Sequence, residues 1–223
     1  MGDIGNEVLS ILKLSYRYLS SEMKQCFAFC AVFPKDYQME KGMLIQLWMA
    51  NGYIHEEGNM DLAKKGELVF NELAQRSFLQ DVNVIRFSSH GYHSAIGCKM
   101  HDLMHDLAKD VTDECAFAAE FIDKKIPIND GVRHMLVSTN ALEEINGLLK
   151  PISSLRTLLT QSESKNIMGF KFMSLRALQL QGGCPSVIYN QLICTIHLQY
   201  LIFLGPILLD CQTQYVYCTT CNR

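Results

Sequence analysis

The chain has 223 residues, a formal net charge of −3, 48% hydrophobic and 19% charged residues. This length fits one large domain or two ordinary ones and excludes a large multidomain enzyme. The apolar fraction is sufficient for a buried core, so the chain is not disordered as a whole. The slightly negative net charge does not favour binding to nucleic acid or to an anionic membrane.

The nine cysteines are an odd number without regular spacing. This pattern argues against the disulfide framework of a small secreted protein, so we expect a reducing, cytoplasmic environment. The first ten residues lack a basic segment followed by an apolar one, and Asn6 stands where a myristoylation signal needs Ser or Thr. The sequence therefore contains no recognisable targeting signal.

Residues 1–34 predict two short amphipathic helices. Ser20 is a suitable N-cap for the second helix, and Pro34 ends it because proline has no N–H to donate. The first helix is predicted from residues at three-to-four spacing: Val8, Leu9, Ile11, Leu12, Ser15 and Leu19.

Two further helices are predicted before residue 76. Lys41–Asn51 is apolar nearly all round, which indicates a helix buried among its neighbours, and Gly52 suits its C-terminal cap. Asn59 or Asp61 is predicted to open the next helix.

After Arg76 the pattern indicates a hairpin. Residues 78–87 look extended, the following segment is loop-like, and Cys98–Met100 can return as a paired strand. Asp102 is predicted to N-cap a last helix, with an apolar residue every four positions at Leu103, Leu107, Val111 and Cys115. These elements predict a mainly α winged-helix domain over residues 1–117.

The second half predicts the truncated start of an α/β leucine-rich-repeat solenoid. We assign a linker to residues 118–131, degenerate repeats to 132–209 and an unstructured tail to 210–223. The repeat unit is a Leu-x-x-Leu-x-Leu-like hexad that recurs every 20 to 23 residues. Its copies are Val132-Met135-Val137, Leu155-Leu158-Thr160, Leu175-Leu178-Leu180 and Leu198-Leu201-Phe203.

Two motifs carry a family resemblance. Residues 12–54, with the wording CFAFCAVFP and Trp48 in the following helix, resemble the winged-helix part of the NB-ARC region in plant intracellular immune receptors of the coiled-coil subclass. The segment KMHDLMHDLAKDV, residues 99–111, is similar to the regulatory MHD motif of that family. The motif positions are Met100, His101 and Asp102.

The resemblance implies a role in plant defence, and a nucleotide contact. In this family the motif histidine, His101 here, is implied to touch the β-phosphate of bound ADP and to hold the winged helix in a resting state. The repeats are implied to bind a pathogen effector or a guarded host protein. The alternative for His101 is a histidine satisfied inside the corner between hairpin and helix.

The sequence departs from the family pattern in one important respect. The family carries a phosphate loop that ends in Gly-Lys, and no Gly-Lys dipeptide occurs in this chain. We therefore expect a receptor fragment without a bound cofactor, whereas the intact family binds ADP or ATP. The expected partner is the nucleotide-binding subdomain of a full-length receptor.

The sequence also contains several potential metal ligands. His90, His93, Cys98 and His101 are potential zinc ligands, and His101 and His105 are four residues apart. Their spacing matches no standard zinc module, so we expect no metal site. No nucleophile and base pair stands out either, and we expect no enzymatic activity.

The alternative function is a winged-helix protein that binds nucleic acid. Its third helix, Lys41–Asn51, would enter the major groove but carries one basic residue, which disfavours this function. The apolar segment Leu192–Leu209 is explained by the repeats better than by a membrane span, since it holds His197, Gln199 and Pro206.

Overall fold

The chain folds into two compact units, Met1–Thr112 and Asp113–Arg223. A computed structural model describes residues 2–87, 93–112, 114–117, 131–137, 154–163, 174–181, 197–204 and 215–216.

The first unit combines helices with a small antiparallel sheet. In chain order its elements are α1 (Gly2–Arg17), α2 (Ser21–Phe29), a 3-10 helix (Cys30–Val32), β1 (Met39–Glu40), α3 (Lys41–Asn51), α4 (Leu62–Gln75), β2 (Gln80–Phe87), β3 (His93–Lys99) and α5 (Asp102–Asp110).

The predicted helix caps of α2, α3 and α4 are confirmed. The Ser20 hydroxyl accepts a hydrogen bond from the Met23 N–H at 3.2 Å, and Asp61 accepts one from the Lys64 N–H. Gly52 ends α3 with a φ of 74°, a left-handed conformation that glycine adopts without steric cost. Local side-chain chemistry therefore defines these helix ends.

The sheet has the order β1-β3-β2, with both pairs antiparallel. The β2–β3 hairpin is the wing, and β1 pairs with β3 through Met39 opposite Cys98. The returning strand is longer than predicted, because it begins at His93 rather than Cys98. Cross-strand pairs such as Val84 with Ile96 extend it through a segment that was predicted to be a loop.

The core of the first unit is aromatic and surrounds α3. Trp48, Phe27, Phe70 and Phe78 are buried, and the rings of Phe27 and Phe78 meet edge to face at 5.0 Å between centroids. The prediction that α3 is buried is confirmed, because apolar residues around its whole circumference find neighbours on several sides.

The predicted apolar stripe of α1 is partly wrong. Ile11 is 65% exposed, and Leu14 of the same helix is exposed as well. Tyr16 instead packs against Phe27, with 5.7 Å between ring centroids. The packing partners of α1 thus select a face that periodicity alone does not identify.

Helix α5 is shorter than predicted and buries a different face. It ends at Asp110, and its buried side chains are Met104, His105, Leu107 and Ala108, whereas Leu103 is exposed. Cys115–Phe117, assigned from the sequence to the winged helix, form strand β4 of the second unit. The Glu114 carbonyl accepts hydrogen bonds from the N–H groups of Arg133 and His134, which commits this segment to strand pairing.

The second unit is a largely parallel sheet with the order β4-β5-β6-β7-β8-β9. The strands after β4 (Cys115–Phe117) are β5 (His134–Val137), β6 (Thr157–Glu163), β7 (Ala177–Gln181), β8 (Tyr200–Leu204) and β9 (Tyr215–Val216). Strand β9, which pairs antiparallel with β8, lies within the tail that was expected to be unstructured.

The parallel register follows the predicted hexads. His134, Thr157, Ala177 and Tyr200 are successive partners across β5 to β8, at the offsets of 23, 20 and 23 residues that the hexads have. The leucines of these hexads are buried. This sheet is compatible with a leucine-rich-repeat solenoid, which stays a prediction because most residues between the strands, including 118–130, lie outside the described ranges.

His134 is a buried histidine in this sheet. Its Nδ1 lies 3.1 Å from the hydroxyl of Thr157, and Glu114 is 4.0 Å from its Nε2. Burial, reinforced by the charges of nearby arginines with Arg156 the largest contributor, lowers the pKa of His134 to about 3. The imidazole is therefore neutral at physiological pH.

We expect the second unit to lose stability as the pH falls below about 6.5. The unfolded histidine binds its proton near pH 6.5, whereas the folded one binds it only near pH 3, so acid favours the unfolded state by about 2 kcal/mol between pH 7.5 and 5. Urea unfolding at several pH values measures this loss. In the His134→Gln variant the unfolding free energy should change less with pH. An equal change with pH in both proteins would show that His134 is not the cause.

Candidate functional site

The MHD motif lies between the end of β3 and the start of α5. Met100 is buried beneath the junction, whereas His101 and Asp102 are exposed. The hydrophobic residue therefore anchors the motif to the core of the first unit. The side chains of the two polar residues can therefore contact a group that lies outside the first unit.

His101 is the N-cap of α5. Its backbone is extended, with φ −61° and ψ 146°, and its Nδ1 accepts a hydrogen bond from the Leu103 N–H at 3.2 Å. The predicted N-cap, Asp102, is wrong, because Asp102 is already the first residue of the helix. Its carboxylate instead interacts with the positive end of the helix dipole.

This cap determines which nitrogen of His101 carries the proton. A neutral imidazole has one N–H, and because Nδ1 accepts from Leu103, the proton is on Nε2. The exposed edge of His101 is consequently a hydrogen-bond donor. Such a donor suits an anionic oxygen.

A second histidine, His105, lies one helical turn further along α5 and is buried, with 3% of its surface exposed. Its Nε2 donates to the Phe33 carbonyl at 2.7 Å, and burial lowers its pKa. Among the described residues, none hydrogen-bonds its Nδ1. From the sequence, His105 is a candidate only for zinc binding, although the repeat Met-His-Asp-Leu at 100–103 and 104–107 contains both histidines.

Two ion pairs connect α5 to neighbouring elements. Lys35 Nζ lies 2.6 Å from Asp106, and Lys13 Nζ of α1 lies 2.8 Å from Asp110. The hydrogen bond to Asp106, with a smaller contribution from the charge of Asp102, raises the pKa of Lys35. Both pairs are about half exposed, so each contributes little to stability.

The zinc alternative gains no support from the geometry. His101 is exposed and His105 is turned into the interior, so the pair does not converge on one ion. In the part of the chain that the structure describes, no group of three His, Cys, Asp or Glu residues can hold a metal ion. His90 and the side chain of His93 lie outside that part.

Helix α3, the candidate recognition helix of a nucleic-acid reader, is packed inside the first unit. Leu47 and Trp48 are fully buried, and Lys41, its one basic residue, lies 5.2 Å from the ring centre of Phe70 on α4. Reading the major groove requires exposed Arg, Lys, Asn or Gln side chains. The geometry therefore favours a packing role for α3.

The helices and the β1-β3-β2 wing define the first unit as a winged helix. Residues 32–108 match the family described as "Disease resistance protein Winged helix domain". Across the described ranges, no helix has the length and apolar character needed to cross a membrane.

Similarity to plant disease resistance proteins extends over most of the chain. The RGA1 protein of Solanum bulbocastanum is 34% identical over 90% of the chain and 18% of its own length. The disease resistance protein RGA2 of that species is 48% identical over 46% of the chain and 10% of its own length. The disease resistance protein RPM1 of Arabidopsis thaliana is 29% identical over 86% of the chain and 21% of its own length.

These similarities confirm the resemblance identified from the motifs, and the chain belongs with the plant disease resistance proteins. It spans less than a quarter of the length of these relatives.

Proposed function

We propose that the first unit is the regulatory winged helix of a cytoplasmic plant immune receptor. In this proposal it responds to the nucleotide held by a nucleotide-binding subdomain, and it has no catalytic activity of its own. The similarity to disease resistance proteins supports the role in defence. The regulatory residue is His101, supported by Met100 beneath it and Asp102 beside it.

The observation that carries this proposal is the hydrogen bond from the Leu103 N–H to His101 Nδ1. This bond occupies Nδ1, which leaves the Nε2–H at the exposed edge as a donor. ADP fits this donor, because its β-phosphate offers anionic oxygens and a charge-assisted hydrogen bond is stronger than a neutral one. When bound, the nucleotide supplies the negative charge, and His101 contributes the hydrogen bond that joins the winged helix to it.

The second unit is proposed to begin the recognition region of the same receptor. Its regular parallel register and buried hexad leucines support a leucine-rich-repeat solenoid, whose surface would contact a pathogen effector or a guarded host protein.

The test uses a chimaera in which the nucleotide-binding subdomain of a relative precedes Met1. We expect the chimaera to purify with bound ADP, and His101→Ser to lose about 10- to 100-fold in ADP affinity, since one hydrogen bond to a charged group contributes roughly 1.5 to 3 kcal/mol. Serine keeps the N-cap, so α5 remains folded. Unchanged ADP affinity in His101→Ser would reject the proposed contact.

The present chain alone is the negative control for that measurement. A single hydrogen bond from His101 falls well short of the roughly 8 kcal/mol that micromolar affinity requires. Calorimetry with ADP should therefore detect no binding. Micromolar binding that survives His101→Ala would place the nucleotide at a different site.

A further inference from the structure

The buried histidine of α5 forms a hydrogen bond between two distant segments of the first unit. His105 Nε2 donates to the carbonyl of Phe33 at 2.7 Å, across 72 residues of sequence. That carbonyl lies just after the 3-10 helix Cys30–Val32 and precedes Pro34. Helix α5 is thereby fixed to the segment that follows α2.

His105 is also connected directly to His101. The backbone N–H of His105 donates to the His101 carbonyl at 2.9 Å, and Leu103 between them donates to His101 Nδ1. The turn from His101 to His105 is therefore one hydrogen-bonded unit. Any shift of His105 relative to Phe33 moves the backbone that holds the His101 ring.

The ion pairs of α5 do not replace this hydrogen bond. The ion pairs of Lys35 with Asp106 and of Lys13 with Asp110 are about half exposed and hold the helix from its surface. Nine residues are too few for a helix that is stable by itself, so α5 depends on its tertiary contacts. The His105 bond is buried and directional, and it lies one turn from the cap.

Packing alone does not account for an imidazole at this position. A leucine would fill a similar space without burying Nδ1, which has no hydrogen-bond partner among the described residues. The buried ring is neutral, and its Nε2–H points at one carbonyl oxygen. The directed N–H is what distinguishes histidine from an apolar residue here.

We propose that His105 is a positioning residue, which fixes α5 on the Phe33 carbonyl so that His101 caps the helix and presents its Nε2–H outward. This inference deepens the proposed function and rests on it for its biological meaning. The geometric part concerns only this chain and is testable without nucleotide.

The experiment is NMR on the full chain with three variants. His105→Gln can place an amide N–H near the position of Nε2, His105→Asn reaches only the position of Nδ1, and Lys35→Ala removes a surface ion pair of the same helix. The measured quantities are the tautomer of His101, from its ring nitrogen shifts, and the hydrogen-exchange rate of the Leu103 amide.

We expect wild type, His105→Gln and Lys35→Ala to show the Nε2–H tautomer of His101 and a protected Leu103 amide. In His105→Asn the Leu103 amide should exchange about tenfold faster and the His101 tautomers should mix, because the turn is no longer fixed. The proposal would be overturned if the Leu103 amide were equally protected in the His105→Gln and His105→Asn variants. It would also be overturned if both variants lost this protection to the same extent.

The outcome is separable from that of the proposed function. If His105→Asn releases the His101 cap but ADP affinity in the chimaera does not depend on His101, the positioning role holds and the nucleotide contact fails. If ADP affinity depends on His101 and His105→Asn leaves the cap unchanged, the contact holds and the positioning role is wrong.

Discussion

Replacing Trp48 by alanine is expected to raise the unfolding equilibrium constant of the first unit by about two to four orders of magnitude. Trp48 is fully buried in α3, and truncating a buried aromatic residue to alanine costs about 3 to 5 kcal/mol through lost burial and the cavity left behind. Circular dichroism during urea unfolding measures the change, because the variant lacks the tryptophan that fluorescence would report.

Trp48→Phe is the matched control. The indole Nε1 is buried without a hydrogen-bond partner in the described structure, so phenylalanine removes a desolvated N–H while keeping most of the apolar surface. We expect a loss of less than about 2 kcal/mol. An alanine variant as stable as wild type would contradict the placement of α3 at the centre of the winged helix.

The second large effect concerns signalling. In the chimaera that carries a nucleotide-binding subdomain, His101→Ala is expected to raise the population of the active state about 10- to 100-fold and to cause cell death in plant tissue without a pathogen. An interaction made only in the ADP-bound resting state shifts the equilibrium by its own free energy, roughly 1.5 to 3 kcal/mol here. Cell-death assays in leaves measure this result.

Two further substitutions separate the phosphate contact from the helix cap. His101→Ser retains a capping oxygen but no Nε2–H, so it should activate as strongly as His101→Ala. Asp102→Val should activate more weakly, because Asp102 is not the N-cap and its interaction with the helix dipole contributes about 0.3 to 1 kcal/mol. Activation by alanine but not by serine would show that the cap, rather than the donor, controls the resting state.

Local chemistry made much of the fold predictable. Ser20, Asp61 and Gly52 define helix ends through hydrogen bonds and backbone conformations within a few residues of themselves. The hexads predicted the strand register, because each parallel strand buries the same positions of the repeat. These features need no knowledge of distant contacts.

Features determined by distant contacts were not predictable in the same way. The two Met-His-Asp-Leu copies are identical in sequence, yet His101 is exposed, whereas His105 is buried and donates a hydrogen bond to the carbonyl of Phe33, far away in the chain. The spacing of Cys115 predicted that it continues helix α5, but Cys115 pairs with the strand His134–Val137 and is part of a sheet. Tertiary pairing overrides local periodicity in both cases.

The most direct test of the proposed His101 contact compares ADP with AMP binding to the chimaera and to its His101→Ser variant by calorimetry. If the His101 Nε2–H donates to the β-phosphate, the substitution should weaken ADP binding about 10- to 100-fold and leave AMP binding unchanged, since AMP lacks that phosphate. Equal weakening of ADP and AMP, or no weakening of either, would contradict the assignment of His101 as the nucleotide-sensing residue.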